Sequence, residues 1–471
     1  MLEAFAIGLA FVFGLAVRMI GLPPLVGFLA AGFALNYIGQ RFEVLPAFTG
    51  EVLHYVAHWG VLLLLFTVGL KLKLGQITQR HVIQGGLLHF VLSVAVFSSG
   101  LRIFLGVEWL IAILVAIALA FSSTVLAAKI LESKREITAF HGRSAIGILI
   151  IQDLLALLVL SIWGGQDPSI WALGVLALPL FRPVIHRLLD VSGHDELLLL
   201  MGMLLALVIG GMGFAALGLS SELGALAMGM LLANHERASE VSEALWGLKE
   251  LFLVGFFLQI GMSGLPTIDD WIFALVFALV LPLKGLLFYA ILALYHLRAR
   301  NAFLASLSLT AYSEFGLIVA SGVPMLSSYL VPLALTVALS FAIAAPLNRF
   351  AHGLFERSEG IWCRLQTNQT HPDEMPPDLS GAKVLVFGMG RTGRAAYDVL
   401  IGGVPEIVGI DSDPYRVSEH QLQGRDVVLA DAEDADFWSS VKLDSLEATI
   451  LAMDDIEAKL LATRKLRQRG F

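Results

Sequence analysis

The sequence predicts a polytopic α-helical membrane protein of about 13 helices with an α/β Rossmann-like domain behind them. Three observations carry this prediction. The 471 residues are 57% hydrophobic and only 15% charged, whereas soluble domains average about 25% charged residues. Apolar runs of membrane-spanning length recur throughout residues 1–356. From Lys383 the pattern changes to short apolar strands, glycine turns and helical stretches, which is how a parallel α/β sheet reads.

The spans fall near 2–20, 24–39, 53–70, 82–105, 108–128, 144–163, 169–189, 196–218, 220–233, 249–263, 271–296, 302–322 and 328–350. The first lacks the basic start of a signal peptide and reads as a membrane helix. Basic residues fix the orientation. Alternate loops hold 16 Lys and Arg, from Arg18 to Arg357, and the opposite set holds only Arg41 and Arg102. By the positive-inside rule the N-terminus lies outside and the C-terminal domain is cytoplasmic.

Residues 357–381 read as a linker, because apolar periodicity stops and QTNQTHPDEMPPDLS holds three prolines. Strands are expected at KVLVF, EIVGID, DVVLA and EATILA, with helices between them and a last helix over 455–468. A complete dinucleotide fold would continue, so the domain over 382–471 is expected to be incomplete. Residues 361–471 carry a net charge of −6, which argues against nonspecific nucleic-acid binding. The single cysteine, Cys363, excludes an internal disulfide framework and a cysteine-based metal cluster.

Chemistry concentrates at a few interruptions of the apolar pattern. His141–Trp163, HGRSAIGILIIQDLLALLVLSIW, carries Gln152 and Asp153 mid-span. A carboxylate there costs about 2.5–3.5 kcal/mol on insertion scales, so it is retained for an ion, a proton or a partner charge. AFSSTVLAA places Ser122, Ser123 and Thr124 in the preceding span, and LTAYSEFGLIVASG places Ser313, Glu314 and Gly316 in the twelfth. Two polar- or glycine-broken helices in corresponding halves point to a transporter midplane site. Hydroxyls bonding back to their own helix are the plainer alternative. Lys284 lies deep in LVLPLKGLLFY. It is expected to pair with Asp153 or Glu314, as an exchangeable salt bridge or a static one.

In the C-terminal domain Gly388, Gly390 and Gly393 of GMGRTG follow a strand and open a helix. Asp411 stands at the end of the next strand, 18 residues after Gly393. That context suits a dinucleotide, with pyrophosphate against backbone N–H groups and the acid on a ribose hydroxyl. Arg391 and Thr392 open the helix; Arg391 could reach a phosphate or face water. Glu236, Glu240, Glu243 and Glu250 are expected on a cytoplasmic loop in ANHERASEVSEALWGLKE.

SSTVLAAKILESKREITAFHGRSAIGILIIQD, YSEFG and LKELFLVGFFLQIGMS together resemble monovalent cation:proton antiporters of the CPA2 branch, and Kef-type potassium efflux systems within it. The resemblance covers nearly the whole chain, since those proteins also carry a TrkA-N (KTN) nucleotide-binding domain. It implies inverted repeats with crossing discontinuous helices, and a homodimer in a bacterial inner membrane working by an elevator-like movement. Asp153 matches the essential ion-binding acid, Gln152 its usual neighbour, Ser123 and Thr124 one unwound helix, and Ser313 and Glu314 the other. Lys284 lies on the helix that carries a membrane-embedded lysine in related antiporters. Asp411 and Asp431 match two acids that contact adenosine-type ligands such as AMP or NAD(H). The acidic loop with Glu236, Glu240 and Glu243 corresponds to a regulatory loop, though its acids are spaced differently. An ancillary cytoplasmic regulator is also implied.

The resemblance makes the chain a transporter rather than an enzyme. It implies exchange of K⁺ for H⁺, with Na⁺ the alternative cation and a ligand-gated potassium efflux channel the alternative function. No residue pattern suggests hydride transfer.

Overall fold

The computed structural model describes residues 2–42, 48–71, 79–134, 136–137, 139–163, 169–193, 196–233, 235, 237–367, 371, 379, 381–403, 406–430, 432, 437–438, 445–453 and 456–470. The chain forms two compact units. One comprises 1–127, 147–291 and 306–353; the other comprises 128–146, 292–305 and 354–471. The second unit therefore takes two segments from inside the stretch 1–356 that the sequence assigned to the membrane domain.

Helices dominate the stretch 2–349, which the two units share. α1 (Leu2–Met19), α2 (Pro24–Phe42), α3 (Phe48–Lys71), α4 (Arg80–Leu105) and α5 (Trp109–Ala120) open it, and α6 (Thr124–Ser133) and α7 (Phe140–Trp163) follow. A 3₁₀ stretch over Ile170–Phe181 leads into α8 (Arg182–Val191). α9 (Glu196–Met203) widens into π-helix over Leu204–Gly213. Next come α10 (Ser221–Leu232), α11 (Ala238–Met262), α12 (Ile268–Leu294), α13 (Ala299–Ser308), α14 (Glu314–Gly322) and α15 (Leu330–Arg349). These helical stretches coincide with the thirteen predicted spans. Among the described residues, seven helices are long and apolar enough to cross a membrane on length and composition alone. Several others are shortened because the fifth and twelfth spans are each broken in two.

Burial follows the expectation for a lipid solvent. Phe104, Met19 and Leu180 point outward at 85%, 80% and 78% exposure, while Ser122, Ser123, Gln152, Asp153, Lys284, Ser313 and Glu314 are all buried. Apolar outside and polar inside inverts the soluble pattern. Helices approach closely where both contribute glycine: a Cβ on Gly69 of α3 would come within 2.9 Å of the Gly229 Cα of α10.

The expected linker begins as a helix. α16 (Ala351–Trp362) and a 3₁₀ turn over Cys363–Leu365 occupy the first part of 357–381. The ring of Trp362 packs 5.0 Å from that of Phe303, and this apolar contact keeps the segment helical. Behind it, β1 (Val384–Phe387), α17 (Arg391–Leu400), β2 (Ile407–Asp411), α18 (Pro414–Leu422), β3 (Val427–Leu429), β4 (Ala448–Leu451) and α19 (Ile456–Gln468) alternate as predicted. The sheet is parallel in the order β3-β2-β1-β4, with Val384 in register with both Ile407 and Ala448. Both faces are covered. Leu385 and Phe387 pack with Trp438 and Leu466 on one side; Val384 and Val386 pack with Tyr397 and Val417 on the other. Strands buried on both faces read as continuous apolar runs.

Candidate functional site

The fifth span is apolar up to Ala120, where helix stops and Phe121 turns extended at φ −70° and ψ 150°. Helix restarts at Thr124 because the Ser123 hydroxyl accepts the Leu126 N–H at 3.1 Å, an N-cap. The twelfth span breaks in the same way. Ser313, at φ −96° and ψ 143°, caps α14 by accepting the Phe315 N–H at 3.0 Å. The two extended stretches then satisfy each other. Ser122 and Tyr312 form an antiparallel bridge, and the Ser123 N–H donates to the Ala311 carbonyl at 3.1 Å. Irregular backbone at membrane depth survives only with such pairing. Gly316 permits the crossing, since a Cβ there would collide with the Ala118 carbonyl.

Side chains complete the arrangement. Gln152 Oε1 accepts the Ser122 N–H at 2.8 Å, so Gln152 closes the first break rather than standing free. Asp153 lies 3.3 Å from the Thr124 hydroxyl through both carboxylate oxygens. Glu314 accepts the Ser123 hydroxyl at 2.8 Å and the Val125 N–H at 3.4 Å. Two acids thus converge on the N-terminal end of α6, where the unsatisfied N–H groups carry partial positive charge. Ser313 contributes through its cap. Ser122, named from the sequence together with Ser123 and Thr124, stands at the break itself. Its hydroxyl and Gln152 Nε2 are buried without a hydrogen-bond partner among the described residues.

Lys284 departs from expectation. It pairs with neither Asp153 nor Glu314; Nζ donates to the Phe121 carbonyl at 2.7 Å and reaches the Ala311 carbonyl at 3.5 Å. It also lies 4.7 Å from the centre of the Tyr312 ring. The physical reason is that each break frees carbonyls at the negative end of a half-helix. An ammonium with three donors satisfies both at once. Lys284 pins the breaks.

The expected acidic loop is also different. Glu240 and Glu243 belong to α11, which begins at Ala238. Glu240 takes Arg237 Nε at 2.8 Å, and Arg237 also donates to the Leu189 carbonyl at 2.6 Å. Glu243 is exposed. Glu236 lies outside the described residues, as does Asp431.

In the second unit Gly388 turns at φ +85°, a conformation suited to glycine, and a Cβ there would meet the Met453 nitrogen at 2.7 Å. A Cβ on Gly393 would collide with the Gly388 carbonyl, so helix α17 starts hard against the loop. Gly390 is its N-cap, and Arg391 and Thr392 are exposed in its first turn. Such a helix start is suited to phosphate. Asp411 is buried at the tip of β2, with one oxygen accepting the Met389 N–H at 2.7 Å and the other the Asp413 N–H at 2.9 Å. Each oxygen keeps a second acceptor position for a ribose hydroxyl. Two residues were not anticipated. His420 Nε2 lies 2.8 Å from the Met389 carbonyl, so the backbone of Met389 is held at both its N–H and its carbonyl. Arg416 reaches Asp411 at 3.7 Å and Asp413 at 3.8 Å. A polar group at the end of the helix after β2 gives no periodic signal, which is why both were missed.

Comparison with known proteins covers both parts of the chain. The family model described as "Sodium/hydrogen exchanger, transmembrane" matches residues 7–349, and the TrkA-N domain matches residues 384–470. The glutathione-regulated potassium-efflux system protein KefC of Salmonella arizonae is 29% identical, covering 96% of this chain and 74% of the relative. KefC of Salmonella typhi gives the same values, 29% identity over 96% of this chain and 74% of the relative. In fold the chain is similar to the sodium proton antiporter MjNhaP1 from Methanocaldococcus jannaschii, with a TM-score of 0.52 at 14% identity. That likeness covers 77% of this chain and 96% of the other.

Proposed function

Because the chain belongs to the transmembrane sodium/hydrogen exchanger family and carries a TrkA-N domain, we propose that it is a secondary antiporter exchanging K⁺ for H⁺ across a bacterial inner membrane. The observation that carries the reading is the convergence of Asp153 and Glu314 on the start of α6 where two broken helices cross. A proton and a monovalent cation compete there for the same carboxylate oxygens. One cation or one proton taken up in turn by the same carboxylates makes the exchange electroneutral. Thr124 and the Ser122 hydroxyl are oxygen donors suited to an alkali ion, and K⁺ is favoured over Na⁺ by the Gln152–Asp153 pair shared with Kef-type relatives.

Alternating access proceeds by an elevator-like movement in a homodimer. The C-terminal domain lies in the cytoplasm and binds an adenine nucleotide, AMP or NAD(H), between the glycine loop and Asp411, which regulates exchange. Arg416 is available to a phosphate at the same mouth.

The test is exchange in proteoliposomes across K⁺, Na⁺, Rb⁺ and Li⁺, followed with a pH dye. A K⁺ gradient drives proton movement in the parent, and Asp153→Asn abolishes it. K⁺ flux that persists in Asp153→Asn without proton counterflow would favour a gated efflux channel instead.

A further inference from the structure

Polar contacts within the second unit converge on one turn. His296, between α12 and α13, holds φ at +68° and is the only non-glycine residue with positive φ among the described residues. A left-handed conformation in a residue with a Cβ persists only where its surroundings over-determine it. The surroundings here come from far along the chain. The His371 N–H donates to the His296 carbonyl at 2.9 Å. The Thr367 hydroxyl lies 3.0 Å from His296 Nδ1 and 3.5 Å from the Ala293 carbonyl. Gln366 Oε1 accepts the N–H of Ala299, the first residue of α13, at 3.0 Å. The His371 ring lies 5.2 Å from that of Phe140, the first residue of α7.

These contacts join the starts of two helices that lead into the candidate ion site. α7 carries Gln152 and Asp153, and α13 runs to the break at Tyr312 and Ser313. The residues making them, Gln366, Thr367 and His371, lie between α16 and β1, on the only covalent route from the membrane helices to the TrkA-N domain. We propose that Gln366, Thr367 and His371 form a strap that holds the His296 turn in its strained state and thereby restrains the exchanger. A pull from the TrkA-N domain loosens the strap, the turn relaxes, and α13 is released. The proposal rests on the antiport reading above for its consequence, though not for its geometry.

The full-length protein tests it. In a Cys363→Ser background, one variant releases the strap (Gln366→Ala with Thr367→Val) and another locks it with a disulfide (His296→Cys with Thr367→Cys). Release raises K⁺-driven proton exchange in proteoliposomes by about fivefold or more, and oxidation of the cysteine pair lowers it reversibly, with reductant restoring the rate. Equal rates in released, locked and parent protein would overturn the proposal, as would slower exchange on release or failure of the disulfide to form. Amide hydrogen exchange over 296–303 separates the two readings if the parent moves no cation. Faster exchange in the release variant supports the strap, and unchanged protection refutes it.

Discussion

Asp153 is the side chain least at home in its surroundings: a buried acid whose hydrogen-bond partner among the described residues is a single hydroxyl, that of Thr124. Replacing it with asparagine removes the titrating group and keeps the shape. Asp153→Asn is therefore expected to reduce exchange by at least about 100-fold while changing thermal stability by less than about 1 kcal/mol. Lys284 behaves in the opposite way. Because it neutralises carbonyls of both breaks rather than a carboxylate, Lys284→Ala leaves those carbonyls uncovered. A stability loss of about 2–5 kcal/mol is expected, of undiminished size in an Asp153→Asn background. Thermal unfolding in detergent reads both, and a loss that vanishes in the double variant would restore the Lys284–Asp153 pairing.

At the scale of elements, function depends on where helices stop. Ser123 and Ser313 end one half-helix and cap the next, and Gly316 lets the two interrupted spans touch. Gly316→Ala forces a methyl into the Ala118 carbonyl, with an expected cost of about 1–3 kcal/mol and a fall in exchange. In the TrkA-N domain the glycine loop is shaped by Asp411 and His420. Asp411→Ala should abolish AMP and NAD⁺ binding by calorimetry on the full chain, and unaltered binding would place the nucleotide elsewhere. Hydrogen bonds from Arg425 hold the Asp398 carboxyl below the usual carboxylate range. A depressed acid stabilises the fold above its unfolded pKa of about 3.9, and that contribution is lost as pH falls through the folded value. The pair is exposed, so Asp398→Asn should lower the melting temperature by about 2 °C or less at pH 7. The difference should close below about pH 4.

At the scale of the whole molecule, spans, strands and glycine loop could be read directly, because helix and strand periodicity are local properties of chemistry along the chain. The costly charged residues were legible for the same reason: Asp153, Lys284 and Glu314 stand out against an apolar background wherever they end up pointing. Their partners did not stand out. Residues 30 or 191 apart in sequence meet in the Gln152–Ser122 and Ser123–Glu314 contacts, and no periodicity encodes such a pairing. Lys284 was assigned to a carboxylate because opposite charges attract; two freed carbonyls, present only once two helices break and cross, matched it better. The strap was invisible for a related reason, since a polar, proline-rich stretch reads as linker until the Gln366 side chain is seen to cap another helix. Composition and periodicity alone determined that this chain is a bundle of membrane helices with a Rossmann-type domain, and the resemblance of its motifs pointed to an exchanger. Only the tertiary structure decided which charge answers which, because desolvation and half-helix partial charges depend on what lies alongside in space rather than next in sequence.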